Sequence, residues 1–160
     1  MLGALMFSSK ILMEILPNIH LIGMFVMLCT VVFRVRALIP IYIFVFLTGL
    51  YGGFSLWWIP YLYIWTVLWA ITMLIPVNIS RKYAAFVYPI VCAFHGLAYG
   101  TLYAPAQAIM FGMNFEQTIA WILAGAPFDL IHAVSNFAAG FLVLPLSDLI
   151  KKLYKRHSAY

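Results

Sequence analysis

Charge is what this sequence has least of. Asp, Glu, Lys and Arg make up 8% of its 160 residues and 66% are hydrophobic, whereas a soluble domain carries about a quarter charged residues. Such a chain cannot clothe a globular surface in polar groups, which excludes a soluble enzyme or binding module and predicts an integral membrane protein. There is no polar stretch long enough for a separate catalytic domain, and 160 residues suit one membrane-embedded domain. Cysteine is nearly absent. Cys29 and Cys92 both lie inside apolar spans, where they read as small hydrophobes rather than as a disulfide or metal pair. The net charge of +5 sits at segment ends, where it orients a membrane protein rather than serving a nucleic acid. The start, MLGALMF, lacks the basic opening and small-residue cleavage site of a signal peptide. No solenoid or inverted repeat is visible.

What is present is apolar sequence in membrane-sized pieces, since a span takes about 20 residues, fewer where a helix is short or the bilayer thins. The breaks predict six segments: about Leu2–Leu16, Ile19–Phe33, Ala37–Tyr51, Leu56–Val77, Tyr83–Phe111 and a last one from about Trp121 toward Tyr154. The first carries Lys10 and Glu14 at i,i+4, a spacing that allows them to pair. Pro89 and Pro105 predict kinks or a re-entrant end in the fifth, and Gly125-Ala126-Pro127 a break near the start of the sixth. Arg34 and Arg36 fall between segments two and three, Arg81 and Lys82 between four and five, and Lys151, Lys152, Lys155 and Arg156 after six. The other connections hold no Lys or Arg, so the positive-inside rule places both termini in the cytoplasm. The expected fold is an all-α, six-transmembrane-helix bundle.

The last segment carries the chemistry. Asp129, His132 and Asn136 stand at i, i+3 and i+7, one stripe of a helix. Ionisable groups at membrane depth cost roughly 2.5–3.5 kcal/mol on insertion scales, so such a stripe points to function. Counting 1.5 Å per residue from Lys151, Asp129 stands about 33 Å up and Asn136 about 22 Å; from Lys82, His95 stands about 20 Å up and Tyr99 about 26 Å. Trp57, Trp58 and Trp65 fall in the same outer half, Asn18 and His20 open the second segment there, and Asn114, Glu116, Gln117 and Trp121 lie at the last outer connection. The inner stretch Phe137–Leu146 has no hydrogen-bonding side chain. Aromatic walls with a few placed polar groups suit a flat, water-soluble heterocycle. Asp129 or Glu116 would pair with a ligand cation or donor, and His95 and His132 would donate or accept.

Plainer roles exist for each of these residues. Trp57, Trp58, Tyr61 and Tyr63 fit an interfacial aromatic belt, His95 can satisfy a carbonyl across the bundle, and Asp129 can cap a helix beginning after Pro127. His95, Asp129 and His132 are also usable metal ligands, the basis of an alternative reading as an intramembrane metal-dependent enzyme. Another alternative is a self-contained carrier. Gly96-x-x-x-Gly100-x-x-x-Ala104 and Ala4-x-x-x-Ser8 place small residues on one face of the fifth and first segments, spacing that allows close backbone approach.

With these features assembled, the chain resembles the substrate-binding S component of energy-coupling factor (ECF) transporters. The resemblance rests on six short spans, on Asp129-x-x-His132-x-x-x-Asn136 followed by Pro145-Leu146 and a basic tail, and on Leu16-Pro17-Asn18-Ile19 and Leu56-Trp57-Trp58-Ile59-Pro60-Tyr61, which are similar to those of bacterial members. The resemblance implies a non-enzymatic capture subunit without cofactor in the bacterial cytoplasmic membrane. It would bind a vitamin or related micronutrient near the outer face and deliver it through a transmembrane coupling subunit driven by two cytoplasmic ATPases. It further implies docking through a small-residue face on the first helix, here Ala4 and Ser8, with Ser in place of the second Ala. No G-x-x-x-x-G-K-[ST] loop occurs, so energy would come from such a partner.

Overall fold

The computed structural model describes residues 1–16 and 18–157, excepting the side chains of 155–157. Pro17 of the Leu16–Ile19 motif and the side chains of Lys155 and Arg156 therefore lie outside the described residues. The chain is all-helical, with no strand among the described residues. In order, the helices are α1 (Leu2–Leu12), α2 (Ile22–Phe33), α3 (Leu38–Gly52), α4 (Tyr61–Met73), α5 (Arg81–Leu97), α6 (Tyr99–Phe111), α7 (Phe115–Gly140) and α8 (Val143–His157). Short 3-10 turns at Arg34–Ala37 and Leu56–Trp58 lead into α3 and toward α4. Four helical stretches are long and apolar enough to cross a membrane: Ile22–Gly52, Leu56–Met73, Arg81–Phe111 and Phe115–Gly140; α1 is a shorter apolar helix.

Arg34 reverses the chain inside the first of these stretches. It stands at φ 53°, a left-handed conformation uncommon outside glycine. Its guanidinium donates to the Met73 carbonyl at 2.7 Å and to Ile75 O at 3.4 Å, while its own carbonyl accepts the Trp69 indole N–H at 3.2 Å. The C-terminal carbonyls of α4 are thus capped by a cation, and α2 and α4 end side by side. Helix α3 returns antiparallel to α4, tied by Tyr42 to Leu62 O and Thr66 and by Trp58 Nε1 to Val45 O at 2.8 Å. Helix α1 runs alongside α3 in the same direction, with Gly3 against Pro40 and Ile43, and Phe7 and Glu14 on Tyr51. Lys10 and Glu14 pair at 2.9 Å.

Helices α5 and α7 pack antiparallel through small residues. A Cβ on Gly96 would lie 2.7 Å from the His132 carbonyl oxygen, and Ala104 is buried further along the same face. At the other end Gly140 rides on the Pro89 backbone, and Arg81 pairs with Asp148 of α8. These pairings gather the basic positions at one end: Arg34, Arg36, Lys151 and Tyr154 line one groove there, and Met1 and Arg36 line the groove beside it. Between this end and the opposite one lies an apolar core that includes Met27, Leu68, Cys92 and Phe44.

One expected helix break falls elsewhere. Gly125-Ala126-Pro127 does not interrupt α7, which is continuous from Phe115 to Gly140 behind a capping box in which Asn114 and Gln117 bond each other's backbone. Pro127 is on an exposed face of α7. The chain breaks instead after Gly140, before α8. In the fifth segment Pro89 and Pro105 both sit inside helices, and the one interruption is at Ala98, between them.

Candidate functional site

The break at Ala98 frees backbone groups at the start of α6, and an N–H without an acceptor is expensive where water is scarce. The Gly100 N–H is the group concerned. It donates to both carboxylate oxygens of Asp129, at 3.0 and 3.1 Å, from the facing turn of α7. Glycine is required for that approach, since a Cβ at position 100 would stand 2.5 Å from Asp129 Oδ2. Asp129 therefore does not cap its own helix after Pro127. It lies mid-helix in α7 and caps α6 across the bundle, a negative charge at a helix N-terminus.

Around this contact the bundle closes a cluster of rings. Trp65 of α4 is buried at its centre, with centroids 5.7 Å from His95, 6.0 Å from Tyr99 and 6.0 Å from His20. His132 of α7 lies 4.9 Å from Tyr99 and 5.2 Å from His20. Its Nδ1 is 3.9 Å from Asp129 Oδ1, close enough for electrostatic contact but beyond hydrogen-bond reach. One turn further, Asn136 is buried against Gly23 of α2. Asp129, His132 and Asn136 are thus all interior, only 6%, 7% and 1% exposed. The members come from the turn before α2, the first half of α4, the C-terminal half of α5, the start of α6 and the middle of α7, toward the end opposite the basic residues.

The distinguishing feature is hydrogen bonding left undone. Elsewhere the buried hydroxyls are satisfied within their own helices: Thr30, Thr48 and Thr72 each donate to the carbonyl four residues back, at 2.7–2.8 Å. His20 Nδ1, Trp65 Nε1, His95 Nδ1, His132 Nδ1 and Asn136 Oδ1 find no partner among the described residues. All five belong to this one cluster. Each buried orphan costs about 1–3 kcal/mol, and such exceptions call for a reason.

Not every candidate from the sequence joins the cluster. Tyr103 donates to the Trp57 carbonyl at 2.8 Å and stacks on Trp121, and Trp57 packs on Tyr61; these form an aromatic annex beyond Tyr99. Trp58 is turned away, with its N–H on Val45 and its ring on Phe54. Glu116 is exposed in the first turn of α7. Asn18 stands at φ 61°, and its carbonyl accepts from the Ser135 hydroxyl of α7 at 3.5 Å. Ala4 and Ser8 point outward from α1, whose packed face is Gly3 and Met6. His20 was placed in the outer half by the sequence but given no binding role; the structure puts its ring in the cluster. No group of three His, Cys, Asp or Glu side chains placed to hold a metal ion is found among the described residues.

No family model, curated protein or solved structure matches this chain.

Proposed function

We propose that the protein is a membrane-embedded capture subunit that binds a small aromatic or heterocyclic micronutrient at the Trp65–His95–His132 cluster, for ATP-driven uptake through partner subunits. The observation that carries this reading is a set of four unpartnered nitrogens on contacting rings, with the unpartnered Asn136 Oδ1 one helical turn beyond His132, in a bundle whose buried threonine hydroxyls are satisfied. Polar groups held ready inside aromatic walls are what a specific small-molecule site requires. The helices are read as six passes: α1, α2, α3, α4, α5–α6 and α7–α8. The end that gathers Arg34, Arg36, Arg81 and Lys151 faces the cytoplasm, so the cluster faces the outer side of a bacterial cytoplasmic membrane.

Capture is favoured over a self-contained carrier by the core beneath the cluster. Met27, Leu68 and Cys92 are fully buried, with Cys92 Sγ 3.6 Å from Met27 Sδ, and offer a solute no polar path onward. Delivery therefore calls for partners, in the manner of an ECF transporter: a transmembrane coupling subunit, docked at the outward Ala4–Ser8 face of α1, and two ATPases. Reconstitution tests this. Liposomes holding this chain alone should bind solute without accumulating it, and accumulation should require the coupling module and internal ATP. Uptake by the chain alone would contradict the proposal.

A further inference from the structure

The unpartnered atoms also specify the ligand's chemistry, an inference that rests on the capture reading above. His95 Nε2 lies 3.0 Å from the Ile64 carbonyl. A carbonyl only accepts, so Nε2 carries the hydrogen, and Nδ1 of the neutral ring presents a lone pair. Trp65 Nε1 is a donor and nothing else. Two contacting rings thus offer one fixed acceptor and one fixed donor, both unused.

Charge narrows the class further. The cluster contains no Lys or Arg, and its one carboxylate, Asp129, is engaged at the α6 N-terminus, where it accepts the Gly100 N–H on both oxygens. Lys10 is paired with Glu14, and Glu116 is exposed at the start of α7. An anion would find only Lys10, already paired with Glu14, and a cation only a carboxylate already engaged as the α6 cap, and burying an incompletely paired charge is far costlier than burying a hydrogen-bonded neutral group. The His20 imidazole, which comes from outside the helices, packs on both Trp65 and His132, the kind of ring contact a flat ligand makes.

We infer that the site takes an uncharged planar heterocycle that presents an acceptor to Trp65 and a donor to His95, as a ring lactam, a carboxamide or an amino-imine edge does. His20, His132 and Asn136 serve the remaining polar atoms.

The test is titration of the purified full chain in detergent at neutral pH with matched probes. Nicotinamide, adenine, cytosine and uracil are neutral and carry both groups; nicotinate is an anion and thiamine a cation. Saturable binding is expected from at least one neutral probe, tighter than either charged one. Trp65→Phe should weaken it about tenfold or more, whereas Trp69→Phe, whose N–H serves the Arg34 carbonyl at the basic end, should leave affinity unchanged. Tightest binding of nicotinate or thiamine would overturn the neutral assignment while leaving capture standing. Unchanged affinity in Trp65→Phe would overturn the donor–acceptor assignment. Binding of no probe would overturn capture and this inference together.

Discussion

Asp129 offers a clean separation between holding the bundle and holding a ligand. Its carboxylate accepts the Gly100 N–H at 3.0 and 3.1 Å and is 6% exposed, so water cannot replace it. Asp129→Ala strands that N–H at the start of α6. An orphaned buried donor costs about 1–3 kcal/mol, and the lost charge at a helix N-terminus adds roughly 0.3–1 kcal/mol. Asp129→Asn keeps one acceptor oxygen and nearly the same shape, so the loss should be about 1 kcal/mol, chiefly the charge contribution. At about 2–4 °C per kcal/mol for a chain of this size, the alanine variant should melt several degrees below the native protein, with asparagine between them. The assay is thermal unfolding in detergent, read by tryptophan fluorescence without ligand. Alanine and native proteins melting together would refute the cap. If ligand affinity fell while the melting temperature held, Asp129 would be a ligand contact, the role its sequence first suggested.

Other consequences follow from packing and topology. Gly96→Ala should destabilise by about 1–3 kcal/mol, because its Cβ meets the His132 backbone, which cannot yield as a side-chain tip can. Gly125→Ala, with nothing within 4 Å of the new Cβ, should instead stabilise α7 by about 0.5–1 kcal/mol; melting curves of the two variants should move in opposite directions. Single cysteines placed at Arg36, Lys82 and Lys151 should be labelled by impermeant maleimide only from the cytoplasmic side, and those at Phe54 and Met113 only from the outside. Labelling of the two sets from one side would refute the six-pass reading.

Much of the architecture was legible because membrane burial penalises charge so heavily. Apart from Lys10, which pairs with Glu14 near the other end, Lys and Arg mark segment ends, and the structure gathers Arg34, Arg36, Arg81 and Lys151 on one side. The Lys10–Glu14 pair and the Gly96–Gly100–Ala104 face were readable from helical spacing alone. What local sequence could not show was where the helices break. The expected break at Gly125-Ala126-Pro127 falls within a continuous helix. The interruption at Ala98 is compensated by a carboxylate 29 residues along the chain, a satisfaction no local window contains. The same holds for the site. Asp129, His132 and Asn136 were visible as one stripe, but His20 reaches the cluster from the far end of the chain. Trp58 looked equivalent to its neighbours until its N–H was found committed to Val45.

The most direct test of the central claim, that the ring cluster holds a small molecule, is native mass spectrometry of the protein released from detergent after growth in rich medium, beside the Trp65→Phe variant. The account predicts one bound, uncharged heterocycle per chain, at much reduced occupancy in the variant. A protein that emerges empty, with a melting temperature unmoved by a panel of micronutrients, would contradict it.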